Sequence, residues 1–176
     1  MSVKTLATLT KTSHVKELNA SLEKLKGAIV YVGIARGSKG DGRSDGAPDN
    51  HLLGFIHERG SPASNIPSRP FLVPGVKSAR GEVADRLAGA IKSALHDDEK
   101  GMNDALERAG FEAVSGVKDY MTTAKFAPLK PATIRNRHRS RSTLSKRDNE
   151  VANVNIKPLI NTGALRDAID FYVKED

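Results

Sequence analysis

The chain has 176 residues, with 28 Lys or Arg against 21 Asp or Glu, a net charge of +7 and no cysteine. The missing thiols exclude a disulfide framework and thiolate zinc sites, and 5% aromatics with no tryptophan leave a core of Leu, Ile, Val and Ala. No apolar run approaches the ~18 residues of a membrane span, and the opening MSVKTLATLTKT lacks a signal-peptide core, so a soluble intracellular protein is expected.

Val15, Leu18, Leu22 and Leu25 recur at helical spacing. They predict a helix over about 14–26, capped by Ser13 and stopped at Gly27. Residues 28–35, AIVYVGIA, read as a strand apolar on both faces, central in its sheet or covered on both sides. Residues 36–50 hold four glycines without apolar periodicity and predict a loop. It lacks the spacing of GxxxxGK(S/T) or GxGxxG, so a phosphate loop is not expected. Asn50 can cap a short helix over 51–58 that Gly60 ends. Four prolines in 61–74 then predict an extended connector rather than a helix.

Val76, Val83, Leu87, Ile91 and Leu95 form one apolar phase, and Met102, Leu106, Ala109, Ala113, Val117 and Tyr120 another. Two helices are expected, over about 76–95 and 101–122, because Asp98 is a good N-cap and Gly101 a poor interior residue. Residues 122–157 are poor in apolar side chains and read as an extended arm, with only Thr133–Arg137 suited to a short helix. Thr162 can cap a short helix over Gly163–Ala168. Ile169, Phe171 and Val173 alternate with polar residues, as in a strand with one buried face. The expected fold is α+β: a small antiparallel or mixed sheet holding 28–35 and 169–174 and packed by two long helices. The whole of 1–176 reads as one domain, with loop 36–50 and basic arm 125–156 as appendages.

The charge is concentrated. Eight Lys or Arg and no acid lie between Lys125 and Arg147, which leaves 20 basic and 21 acidic residues elsewhere. A partner that feels the positive charge meets this segment, through Arg135, Arg137, Arg139, Arg141, Lys146 and Arg147. In an extended arm, the alternation of Arg137, Arg139 and Arg141 places three guanidiniums on one side, suited to carboxylates or phosphates. No aromatic residue lies between Phe126 and Phe171, which disfavours base stacking. Chemistry is not signalled elsewhere. His51 and His57 miss helical ligand spacing, His57-Glu58 lacks the second His of HExxH, GxSxG is absent, and Asp97, Asp98 and Glu99 suit a helix start. Neither a cofactor, a metal site nor catalysis is expected. His57 and Glu58 are expected to end their helix against the proline-rich connector.

Four phrases, in order, resemble the tail-completion and virion-morphogenesis proteins of tailed bacteriophages, the Mu G-like group. They are HLLGFIHERGSP (51–62), IPSRPFLVPGV (66–76), FAPLKPATI (126–134) and KPLINTGALRDAI (157–169). The likeness covers about 5–175. It lapses at Arg135–Ile156, a stretch longer than in the family, so no role carries over there.

The resemblance implies a structural, non-enzymatic protein that completes the tail at the virion neck and joins it to the head. It implies a homo-oligomeric ring, commonly six-fold, between connector and tail-terminator or tail-tube proteins, assembled in the host cytoplasm. An alternative is a DNA-associated packaging or morphogenesis factor whose arm makes nonspecific contact with genomic DNA. Within the matching phrases, Pro67, Pro70 and Pro74 stiffen a frame from which Arg69 projects, with Glu58 its expected partner. Phe71 anchors that frame in the core, Thr162-Gly163 makes a tight entry to the last helix, and Leu165 and Ile169 dock it.

Overall fold

The computed structural model describes residues 3–35, 48–148 and 156–174. The fold is α+β, mostly helical, with one small two-stranded antiparallel sheet. The helices are α1 (Val3–Gly27), α2 (Asn50–Arg59), α3 (Leu72–Ser78), α4 (Arg80–Leu95), α5 (Glu99–Thr123), α6 (Pro131–Asp148) and α7 (Ala164–Asp167). The strands are β1 (Ile29–Ile34) and β2 (Ile169–Lys174). Contacts group the chain into two compact units. One holds Met1–Gly33, Val76–Gly116 and Phe171–Asp176, the other Ile34–Gly75 and Val117–Asp170.

In the first unit, α1 packs on α4. Ala90 and Ala94 of α4 and Met102 and Leu106 of α5 form a core closed by Leu25, Ala28, Val30 and Val173. The expected pairing of the two strands is present, and β2 buries alternate residues as its sequence alternation predicts. Tyr31 and Tyr172 stack across the strands with centroids 4.8 Å apart. Phe171 lies against α5 where Gly110 leaves room, since a Cβ there would stand 2.1 Å from its ring. Asp98 caps α5 as expected, its carboxylate accepting from Gly101 N at 2.9 Å. Ser21 reaches Asp97 at 2.8 Å and Lys24 reaches Glu99 at 2.8 Å, tying α1 to the same turn.

Several expectations are corrected. α1 begins at Val3, so Ser13 is an interior residue and not a cap. Among the described residues β1 pairs with β2 alone, Ile29 and Tyr31 are exposed, and the strand is neither central nor covered on both faces. The stripe Leu87, Ile91 and Leu95 is exposed, while the adjacent Ala90 and Ala94 are buried. The packing of α1 on α4 favours small residues there. The segment expected as one helix over 76–95 is two, α3 and α4, parted at Ala79. α3 starts at Leu72, inside the supposed extended connector, because Pro74 falls in its first turn, where an N–H has no intrahelical acceptor.

The arm is corrected most. Among the described residues of the arm, 131–148 form α6 and 125–130 carry no helix or strand. Pro131 at the first helical position is preorganised for a helix start. Most of the glycine-rich loop, 36–47, and the arm's 149–155 lie outside the described residues.

Candidate functional site

The second unit gathers all four phrases around one cavity of about 650 Å³. Its construction begins at α2. Asp49, not Asn50, caps this helix, accepting from Leu52 N at 2.7 Å, and Asn50 is its buried first residue. Gly60 ends it at φ 77°, a left-handed angle that glycine takes without strain. A side chain there would also meet Ser68 N at 2.8 Å. The chain then turns through Pro62–Ser64, bridges Ser61 to Ile66, and returns so that Arg69 N donates to His57 O at 2.7 Å.

The expected Glu58–Arg69 pair does not form. The Glu58 carboxylate accepts from Phe71 N (2.7 Å), Leu72 N (3.0 Å) and Val73 N (3.3 Å), capping α3. Those amides lack intrahelical acceptors, and negative charge is favoured at a helix N-terminus. Arg69 turns away to the 125–130 segment, donating from Nε to Ala127 O (2.7 Å) and from Nη2 to Pro128 O (2.9 Å). The guanidinium fork fits two successive carbonyls. Glu58 thus does meet the proline-rich connector, through its backbone. Phe71 is buried as expected, and Pro67 and Pro70 are exposed beside it.

α6 supplies the next wall. On a helix, residues two apart do not share a face, so Arg137, Arg139 and Arg141 do not line up in threes as an extended arm would place them. Arg137 turns inward, its Nη1 donating to Lys157 O (3.0 Å) and Ile160 O (3.2 Å). Arg135 and Arg139 are exposed. Arg141, Lys146 and Arg147 fall within α6 by backbone, and their side chains lie outside the described residues. The last phrase closes the unit. Gly163 at φ 91°, not Thr162, is the cap residue of α7, which is shorter than the expected 163–168; Thr162 Oγ1 instead accepts from Ala164 N at 3.3 Å across the tight entry turn, and Leu165 and Ile169 are buried as expected.

Each phrase contributes to the cavity: His57 from the first, Ile66, Pro67 and Arg69 from the second, Leu129 and Lys130 from the third, Leu159 and Asn161 from the fourth. Arg137 and Asn136 join them from α6. Among the described residues no carboxylate lines it. His57 Nδ1 is buried without a hydrogen-bond partner. Burial pushes the His57 pKa below the usual histidine range, and the nearby Arg69 and Arg137 charges push it the same way. Among the described residues no group of His, Asp and Glu could hold a metal ion, and no helix is long and apolar enough to cross a membrane. Sequence reading missed Lys130, Asn136 and Asn161 as neighbours of His57. Nothing in their spacing signals it, because the link is made by Arg69 and Arg137 holding distant carbonyls. Comparison of the chain with family models, curated proteins and solved structures finds no match.

Proposed function

We propose that the chain is a structural protein of a tailed-bacteriophage virion, forming an oligomeric ring at the neck that completes the tail and joins it to the head. The observation that carries this reading is the stripe on α4. Leu87, Ile91 and Leu95 are 38%, 47% and 51% exposed although they follow one another at i, i+4 spacing. A run of aliphatic side chains left in water on one helix face is the signature of a surface that another chain covers. A second copy of the chain is the occupant that a closed symmetric ring supplies. The charged residues of the four phrases also support a scaffold role. Glu58 and Arg69 spend their bonds on backbone groups that hold segments in place.

The test is the triple variant Leu87→Ser, Ile91→Ser, Leu95→Ser. Light scattering of the wild type, alone and mixed with connector and tail-tube proteins, is expected to find a ring. The variant is expected to keep its far-UV dichroism and remain monomeric. Ring assembly by the variant, or tails joined to heads by it as well as by the wild type, would defeat the reading.

A second reading has its own observation. Arg135 and Arg139 are both exposed at i, i+4 on α6, where they could meet phosphates one helical turn apart. In that reading the protein is a DNA-associated packaging factor.

A further inference from the structure

We infer that the cavity between α2, the 125–130 segment and α6 is a binding site for an acidic side chain of a partner protein, carried beside an apolar residue. This rests on the cavity alone and does not depend on a place in the virion.

The first ground is an uncompensated charge. Arg69 is only 5% exposed. Among the described residues its hydrogen-bond partners are two neutral carbonyls, and no carboxylate pairs with it. Burial works against its charge, yet an arginine in a protein stays protonated. A buried charge is ordinarily paired. The two bonds use Nε and Nη2, and Nη1 is left without an acceptor among the described residues. The second ground is the lining. Arg69, Arg137 and the exposed Lys130 converge with His57 and with the amide side chains of Asn136 and Asn161, and among the described residues the cavity lining includes no acid. An anion entering this space meets several donors of charge-assisted hydrogen bonds.

The third ground selects the kind of anion. At about 650 Å³ the cavity is far larger than one inorganic ion, and sites of that size take ligands with an apolar body and few fixed polar groups. Ile66, Pro67, Leu129 and Leu159 supply the apolar wall. Among the described residues no Phe, Tyr or Trp lines it, so a base finds no broad platform. An acidic side chain flanked by an aliphatic one satisfies both walls.

The experiment uses the full chain and four probes: acetyl-Leu-Glu-Leu-amide, its Gln counterpart, inorganic phosphate and a short duplex. Calorimetry is expected to find one site for the Glu peptide, bound at least about tenfold tighter than the Gln peptide, as a buried charge-assisted bond implies. The His57 ring resonance should titrate at higher pH when that peptide is bound, since a nearby anion favours imidazolium. Arg69→Gln would also lose the carbonyl bonds and could unfold the unit. Lys130 is exposed and carries no carbonyl clamp of this kind, so Lys130→Gln is the working variant. It should bind the Glu peptide about threefold more weakly with unchanged thermal unfolding. Equal affinity for the two peptides, or no binding of the Glu peptide up to about 10 mM, would overturn the inference. So would tighter binding of phosphate or duplex than of the Glu peptide.

Discussion

At the scale of single residues, opposite charges close in the chain need not meet. Glu58 and Arg69 each find a stronger local use, Glu58 on the open amides of α3 and Arg69 on carbonyls 58 and 59 residues away. Such bonds leave no mark in the sequence, because every residue carries a carbonyl and an arginine gives no sign of which one it will choose. Local devices are different. The capping of α5 by Asp98 and the turn at Thr162-Gly163 depend on neighbours in the chain, and both were legible. His57 carries a pH consequence. Its folded pKa lies below the ordinary value of about 6.5, so the unfolded chain binds the proton more readily. The stabilisation is therefore present above pH ~6.5 and is lost as pH falls from there through the folded pKa. Thermal unfolding followed from pH 7.5 to 5 should show a decline that His57→Gln lessens. An identical decline in both proteins would show that His57 does not contribute.

At the scale of elements, periodicity located the helices better than it identified their buried faces. The α4 pattern named Leu87, Ile91 and Leu95, whereas the helix packs through Ala90 and Ala94, one position before each of the last two. Close helix packing selects small residues, and a hydrophobic ranking overlooks alanine. α6 stayed hidden for the opposite reason: it has no apolar face, and a helix without one carries no periodic signal. β2 was legible because one buried face forces strict alternation. The packing of β2 on α5 can be tested at Gly110. A Cβ there would stand 2.1 Å from Cδ2 and 2.5 Å from Cγ of Phe171, whose ring also packs edge-on to Phe111 at 4.7 Å. Gly110→Ala should cost about 1–3 kcal/mol by overpacking, measured by urea unfolding. Phe171→Leu should make room, so the double variant should lose less than the two single losses together. Additive losses would mean that the ring does not sit over the glycine.

At the scale of the whole molecule, the excess positive charge lies in one segment of the chain, and that segment is largely helical. This divides the arginines into two sorts. Arg137 holds the carbonyls of Lys157 and Ile160, so Arg137→Ser should lower stability by roughly 1–3 kcal/mol, the cost of leaving such groups unmet. Arg135 and Arg139 are exposed, and their joint change to Ser should lower stability less than Arg137→Ser does, because bonds at exposed positions are worth only ~0–1 kcal/mol. The pair then separates the two functional readings without disturbing the fold. If α6 meets acidic surface on a neighbouring neck protein, the double variant should join heads to tails less efficiently and show no change with duplex DNA. If α6 meets phosphate, the wild type should bind arbitrary duplex with an affinity that falls steeply with salt. The double variant should then lose about two units of the logarithmic salt slope, one for each phosphate contact removed. Single changes should be mild in either case, because an exposed ion pair is worth only ~0–1 kcal/mol. Full joining activity together with unaltered duplex binding in the double variant would remove both roles from this face of α6.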